Sequence, residues 1–266
     1  MQVNWNELSE YIQQYKAQIL ATKKSAIELN LSPAQTLSLW QSKVGGEPYL
    51  PLTDKYPHNA EERPLVLLAQ INFAELPQND LYPSTGILQF FIDIEDDLWG
   101  LDFDEPQKQN NFRVIYYDQV IEDTTQLLQA FPTQDLDHDM NPVTGQYAVQ
   151  FVASERYISM GDHEFAEKIF DPYEMEDDAA EDIYDEYDDA FSASGHHLGG
   201  YPYFTQDDPR STSRFKDYIL LFQLDSSGQE DVEILWGDCG VANFFIHPDD
   251  LKKRDFSKVL YNWDCS

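Results

Sequence analysis

Apolar side chains at the start of the chain recur with the period of a helix. Between residues 4 and 22, one face collects Leu8, Ile12, Tyr15 and Ile19. Because apolar residues three or four positions apart share a helix face, the pattern predicts an amphipathic helix. We expect this N-terminal helix to pack on a sheet.

The hydrophobic period changes to two from Lys24. Apolar and polar residues alternate over 27–31, and they do so again over 37–40 after a turn at Ser32-Pro33. Because successive side chains of a strand point to opposite faces, this alternation predicts a pair of strands.

Further along, short and nearly continuous apolar runs predict strands that are buried on both faces. The predicted strands cover residues 64–73, 87–92, 112–117, 146–158, 217–225, 241–246 and 258–263. Helices are expected near 122–131 and over 162–170, the second one capped by Asp162. Several connections are too short for a parallel crossover, so antiparallel pairing is favoured. The sequence therefore predicts an α+β fold that is mainly antiparallel β-sheet.

One pattern occurs twice in the chain. The copies share a Gly-Gly-x-Pro-Tyr loop, an apolar strand with an internal amide, a second apolar strand, and an Asp-Asp-Leu turn. The matched positions include Gly45-Gly46 with Gly199-Gly200, Tyr49 with Tyr203, Gln70 with Gln223, Phe90-Phe91-Ile92 with Phe244-Phe245-Ile246, and Asp96-Asp97-Leu98 with Asp249-Asp250-Leu251. Two copies at this long period indicate a duplicated half-domain with pseudo-twofold symmetry rather than a solenoid.

We therefore expect a single domain over residues 1–266, built of two similar halves. The first repeat covers about 45–118 and the second about 199–264, and residues 119–198 join them. Within the connection, the segment 171–190 is rich in Asp and Glu and has no Lys or Arg. Because like charges at that density resist compaction, this segment is predicted to be a mobile loop or a frayed helix.

Net charge narrows the range of partners. The chain has 49 acidic and 17 basic residues, a net charge of −32 and a pI near 4.2. Such a surface repels nucleic-acid phosphates and anionic membranes, and it attracts basic proteins or metal ions. Two interpretations of the charge stay open, a solvated surface that keeps the protein soluble and a surface for a basic protein partner. The charge predicts no nucleic acid and no membrane as partner, and the oligomeric state is left open.

Cysteine usage and the N-terminus indicate the compartment. Cys239 and Cys265 are the only cysteines and do not form a C-x-x-C pair, which excludes a disulfide framework and a Cys-type zinc site. Charged residues stand where a signal peptide needs its apolar core, and no apolar run reaches the length of a membrane span. A cytoplasmic protein is expected.

The candidate ligand site rests on amides inside the apolar strands. A buried amide must find hydrogen-bond partners or destabilise the fold by about 1–3 kcal/mol. Two interpretations stay open: each amide binds neighbouring backbone or its twin, or the amides line a central groove for a polar ligand or a partner. The groove candidates are Gln70, Gln89, Gln223 and Asn243, with Tyr49 and Tyr203 of the diglycine loops.

Evidence for catalysis or a metal is weak. His196 and His197 adjoin the acidic segment and are the metal candidates, although adjacent residues of a strand point to opposite faces. The chain has no H-E-x-x-H metal motif and no G-x-S-x-G nucleophile elbow. No catalytic residue and no cofactor are therefore predicted.

Several motifs resemble the YwqG-like family of bacterial proteins. They are Ser42 to Pro51, Leu68 to Phe73 and Gly86 to Ile92, with His197 to Pro202 and Trp236 to Gly240 for the second half. The resemblance covers nearly the whole chain. It implies a bacterial protein with a duplicated β-rich fold and no assigned activity, some of whose relatives are suspected of neutralising toxins.

Three hypotheses about function follow. The favoured one is a non-enzymatic binding protein for a basic partner, in one form an immunity-type inhibitor of a toxin, since acidic surfaces steer basic partners. The second is a metal-assisted or carboxylate-based enzyme. The third is a sensor of a small ligand that uses the amide-lined strands.

Overall fold

The computed structural model of the protein describes residues 3–171, 177–211, 214–229 and 231–266. Its strands are β1 (Lys24–Pro33), β2 (Lys43–Gly45), β3 (Val66–Asn72), β4 (Ile87–Ile92), β5 (Phe112–Tyr117), β6 (Val143–Thr144), β7 (Gln146–Arg156), β8 (His197–Gly199), β9 (Ile219–Asp225), β10 (Glu233–Ile234), β11 (Val241–Ile246) and β12 (Leu260–Asp264). Its α-helices are α1 (Glu10–Gln13), α2 (Lys16–Ala21), α3 (Phe165–Lys168), α4 (Asp177–Phe191) and α5 (Pro248–Lys253). The predicted α+β class with mainly antiparallel sheet is confirmed. β4, β5 and β11 have the bounds that the apolar runs predicted.

The main sheet has ten strands in the order β12-β11-β9-β8-β1-β7-β2-β3-β4-β5, and each pair is antiparallel. The long strands β1 and β7 form the centre and pair over the whole of β1, from Lys24 opposite Arg156 to Pro33 opposite Tyr147. Outward from this pair, the first repeat contributes β2 to β5 on one side. The second repeat contributes β8, β9, β11 and β12 in the corresponding order on the other side. The order is what a duplication predicts, while the duplication itself stays a prediction.

The sheet curls so that its two outer strands approach each other. The rings of Phe112 in β5 and Tyr261 in β12 are 5.1 Å apart, and the Tyr261 amide donates to the carbonyl of Pro106 at 3.0 Å. The Trp263 indole donates to the carbonyl of Leu98 at 2.7 Å. The main apolar core lies inside this curl, since it contains buried residues of both repeats.

The N-terminal region corrects the prediction of one helix over 4–22. It contains two short helices, α1 and α2, because the chain leaves helical geometry at Tyr15, where φ is −92° and ψ is 6°. Ile12 and Ile19 are buried as predicted. They lie in a second apolar cluster with side chains of α3 and α4, near the sheet.

The predicted strand over 37–40 is also wrong, because this segment pairs with side chains instead of a neighbouring strand. Lys43 Nζ donates to the carbonyl of Ser38 at 2.9 Å. The Gln70 amide donates to the carbonyl of Leu39 at 2.7 Å, and that of Asn72 donates to Trp40 at 3.0 Å. β1 pairs instead with β7 and β8.

The acidic segment 171–190, which we predicted to be a mobile loop or a frayed helix, contains most of α4. Residues 172–176 of this segment lie outside the described residues. α4 has an apolar side that packs on the second cluster. Tyr187 is fully buried and donates to the carbonyl of Ile158 at 3.0 Å, and its ring lies 4.6 Å from that of Phe191.

Two further helices are shorter than predicted. Residues 122–131 form only a 3-10 turn at Thr124–Gln126. The helix expected over 162–170 is reduced to α3, although the Asp162 carboxylate accepts from the amide of Glu164 at 3.1 Å. Within the described residues, no helix combines the length and the apolar character needed to cross a membrane.

Candidate functional site

The predicted amides of the first repeat fasten its diglycine loop to the sheet. The Gln70 side-chain oxygen accepts from the backbone amide of Tyr49 at 2.8 Å. The Gln70 nitrogen donates to the carbonyls of Leu39 and Gln41 at 2.7 and 2.8 Å. Gln89 donates to the carbonyl of Tyr49 at 2.7 Å and to the Gln70 oxygen at 2.8 Å. These contacts join loop and strands into one buried network.

The second repeat contains the same arrangement. Gln223 accepts from the backbone amide of Tyr203 at 2.8 Å and donates to the carbonyls of Ala193 and Gly195 at 2.8 Å each. Asn243 donates to the carbonyl of Tyr203 at 2.9 Å. The matched amides therefore make matched hydrogen bonds to their own loops.

This geometry favours the structural interpretation of the six groove candidates. The four amides and Tyr49 are fully buried, and none of the six lines the polar cavity described below. Tyr203 alone is partly exposed. Burial raises the pKa of the Tyr203 hydroxyl, and the charges of Asp225, Asp188 and Asp264 raise it further. Tyr203 thus lies close to several carboxylates.

The two metal candidates of the sequence do not come together around a common point. His197 is buried, with Nδ1 2.9 Å from the carbonyl of Gly199 and Nε2 3.0 Å from that of Ala193. Burial lowers its pKa to about 3. His196 points elsewhere, and its Nδ1 accepts from the backbone amide of Asp225 at 3.1 Å.

A different cluster, Asp162, His163 and Asp208, is the one group of described residues whose ligand atoms lie close enough for a metal, within 4.8 Å of one another. A cation of the protein already lies there. Arg210 Nη2 is 2.8 Å from Asp162 Oδ2 and 2.6 Å from Asp208 Oδ2. Although burial raises the pKa of Asp208, hydrogen bonds from His163 and Arg210 lower it to about 2. Arg210 therefore takes the place that a metal would need.

The strongest candidate site is a polar cavity of about 340 Å³ that the sequence did not single out. It lies where β1 and β7 meet the segment after α4 and the turn after β9. Glu28, Arg156, His196 and Asp225 line it, together with residues 29–30, 194–195 and 226–229. Glu28 lies in β1, Arg156 ends β7 and Asp225 ends β9, and His196 directly precedes β8, so the order of these strands in the sheet brings the side chains together.

Asp225 has unusual electrostatics for a carboxylate at a strand end. Burial raises its pKa to about 6, and the charge of Asp264 adds to the effect. Backbone hydrogen bonds from Gly195 and Ser226 and the charge of Arg156 oppose it. Asp225 Oδ2 accepts from the Gly195 amide at 2.7 Å. Among the described residues, no side chain donates a hydrogen bond to it.

His196 and Arg156 are hydrogen-bond donors at this cavity. Because His196 Nδ1 accepts from Asp225 and burial lowers the pKa of the ring to about 4, the neutral ring carries its proton on Nε2. Arg156 Nη1 donates to the carbonyls of Ser192 and Ser194 at 3.2 Å each. Among the described residues, the ion-pair partner of its Nη2 is Glu28, with Oε1 at 3.8 Å.

The corresponding place in the first repeat has no titratable groups at the matched positions. There Ser42 Oγ accepts from the backbone amide of Asn72 at 2.9 Å, as His196 Nδ1 accepts from that of Asp225. The second repeat therefore has an imidazole and a carboxylate where the first has a hydroxyl and an amide. This difference between matched positions is the sequence signal that could have indicated the site.

Comparison with known proteins gives a family whose function is unknown. The family model that matches residues 42–265 is described as a domain of unknown function (DUF1963). No curated protein matches the chain.

Proposed function

The chain belongs to this family of unknown function, and from that premise we propose that it is a non-enzymatic binding protein whose acidic surface takes a basic protein partner. An immunity-type inhibitor of a toxin is one form of this function. On the motifs quoted above, the proposal also states that the protein is bacterial, lies in the cytoplasm and is a member of the YwqG-like family.

The observation that carries the proposal is the outer face of α4. Asp182, Asp185, Asp188 and Asp189 are all exposed along this helix. Among the described residues, none of these carboxylates has an ion-pair partner. Partial burial raises the pKa of Asp188, and repulsion from Asp189 and Asp185 raises it further. A cationic surface would relieve this repulsion.

The same helix is held firmly on its inner side. Tyr187 and Phe191 anchor it in the second apolar cluster, and Glu186 accepts from the backbone amide of Ser9 at 2.6 Å. Because the charges stand on an ordered helix, they present a fixed pattern to a partner. Fixed complementary charge raises association rates and selects partners more than it raises affinity.

The test begins with capture of partners by the full chain from a lysate of its source organism, followed by binding measurements with the purified candidate. We expect a basic protein whose association rate falls at least tenfold between about 50 and about 300 mM salt. The triple variant Asp182→Asn, Asp185→Asn, Asp189→Asn should slow association at low salt by a similar factor.

A matched control separates this face from the overall charge. The variant Asp97→Asn, Asp118→Asn, Asp217→Asn removes the same charge from exposed positions elsewhere, and it should retain near-normal association. Equal loss in both variants would reduce the proposal to a general charge effect. A captured partner that is acidic, or binding that does not respond to salt, would overturn it.

A metal-assisted enzyme, the second hypothesis of the sequence, has less support in the geometry. The residues that approach metal-site spacing already surround Arg210. We therefore keep the enzyme as the alternative and test it by titrating zinc and calcium against the thermal stability of the full chain.

A further inference from the structure

The polar cavity at His196 and Asp225 is lined by carboxylates and by hydrogen-bond donors that have few partners within the described chain. Two carboxylates face it, that of Asp225 at the end of β9 and that of Glu28 in β1. Glu28 is partly exposed, and its one ion pair, to Arg156, is long at 3.8 Å. These carboxylates are hydrogen-bond acceptors with capacity for a further donor.

Two donors face the same space. His196 is about nine-tenths buried. Within the described chain its Nε2 has no hydrogen-bond partner, although protein atoms do not enclose it completely. Arg156 Nη2 also lacks a hydrogen-bond partner among the described residues, because Glu28 Oε1, at 3.8 Å, is beyond hydrogen-bond distance. A buried polar group without a protein partner indicates that water or a ligand completes it.

We propose that this cavity binds a free α-amino acid. The ammonium group of the ligand lies against the carboxylates of Asp225 and Glu28. The carboxylate of the ligand accepts from His196 Nε2 and from the Arg156 guanidinium. The ligand thereby completes donors and acceptors that the protein leaves open.

Ligands of a single sign fit less well. A simple cation would meet the Arg156 guanidinium, and an inorganic anion would meet the carboxylates of Asp225 and Glu28. A metal ion lacks its ligands here, since the one group of described residues with metal-site spacing lies elsewhere. A molecule with an ammonium and a carboxylate group on one carbon satisfies both sets at once.

The size of the cavity agrees with this class. Its volume of about 340 Å³ corresponds to roughly eleven water molecules at about 30 Å³ each. That space holds the backbone atoms of an amino acid together with a small or medium side chain. The turn at 226–229 forms the wall next to Asp225 and would contact this side chain.

The experiment titrates each of the twenty standard amino acids into the purified full chain, by calorimetry and by thermal unfolding. At least one should bind with one-to-one stoichiometry and raise the unfolding temperature in a saturable way. For the tightest one, the corresponding amine without the carboxylate and the acid without the ammonium should each bind at least tenfold more weakly.

Variants that copy the first repeat locate the site. Asp225→Asn and His196→Ser install the residue types found at Asn72 and Ser42, and each should weaken binding at least tenfold. Asp249→Asn, an exposed charge elsewhere, should bind normally. The comparison of amine, acid and amino acid on the unaltered chain keeps the test decisive if a variant does not fold.

The proposal is overturned if no amino acid binds, if the amine or the acid binds as tightly as the amino acid, or if folded Asp225→Asn binds normally. It is independent of the acidic helix, because no basic protein takes part in the titration. A failure here therefore leaves the proposed partner binding standing, and the reverse also holds.

Discussion

Phe90 in β4 and Phe244 in β11 occupy matched positions of the two repeats, and their ring centroids lie 4.6 Å apart inside the curled sheet. Phe90 is also 4.8 Å from Phe222 of β9. The strands are separated in the sheet by six others, so only the curl brings them together. The two repeats thus share one interior.

This shared interior predicts that neither repeat is stable without the other. Phe90→Ala and Phe244→Ala should each lower the free energy of unfolding by about 3–5 kcal/mol, because each leaves a cavity in the same core. Denaturant unfolding should remain a single transition in both variants. Two separate transitions would contradict the shared core.

The buried amides give a second prediction. Gln70→Leu and Gln223→Leu should each destabilise the protein by about 2–4 kcal/mol, since each removes the partner of one backbone amide and two backbone carbonyls. The losses should be of similar size and additive in the double variant, which urea titration measures. Gln78→Leu, at an exposed position, serves as the control. A loss below about 0.5 kcal/mol would contradict the role of these amides.

Much of the sheet could be predicted, because local pattern decides it. The runs 87–92 and 241–246 are apolar at every position or nearly so, and they form β4 and β11. Segment 37–40 alternates like a strand, but its carbonyls accept from Lys43, Gln70 and Asn72. Local alternation contains no information about such partners.

The candidate site was not singled out from the sequence for a related reason. Arg156 ends β7, His196 precedes β8 and Asp225 ends β9, so only the sheet order brings them to one cavity. A single sequence does not reveal that β1 separates β7 from β8. The amides, by contrast, stood out because buried polar residues in apolar strands are unusual.

The diglycine loops give a third prediction. Gly45 has φ of +68°, and a Cβ there would clash with the backbone carbonyl of Gly145. Gly195 has φ of +92°, but its surroundings are open. Gly45→Ala should therefore lower the free energy of unfolding clearly more than Gly195→Ala does. For Gly195→Ala we expect a loss of about 1 kcal/mol from backbone strain. Thermal unfolding of the two variants measures the difference, and equal losses would contradict it.

The buried ion cluster gives a fourth prediction. Arg210→Met should lower the free energy of unfolding by about 3–5 kcal/mol at neutral pH, because it leaves the carboxylates of Asp162 and Asp208 buried without their cation. The pKa of Asp208 is lowered to about 2 in the native protein, so its contribution is present above the ordinary pKa and is lost only as pH falls towards 2. In the variant, burial still raises the pKa of Asp208, while the Arg210 hydrogen bonds that lower it are absent, so protonation of Asp208 relieves part of the loss.

The loss in Arg210→Met should therefore shrink as pH falls from 7 to 4, and urea unfolding at several pH values measures this. The control Arg214→Met changes an exposed arginine and should have a small effect without that pH dependence. A loss that stays constant with pH would mean that the uncompensated carboxylates are not its cause.

Asp225 gives the last prediction, which concerns the pH dependence of stability. Burial raises its pKa to about 6, so the folded state holds a proton that the unfolded state releases near pH 4. This proton therefore stabilises the folded state fully below about pH 4, and the stabilisation is lost as pH rises through 6. Asp225→Asn cannot ionise, so its stability relative to the unaltered protein should improve between pH 4 and 7, by on the order of 2 kcal/mol. The buried imidazoles of His196 and His197 titrate in both proteins, and their contribution largely cancels in the difference. Urea unfolding of both proteins across this range measures the trend, and a difference that is flat or falls with pH would show that Asp225 is not held in an environment that disfavours its charge.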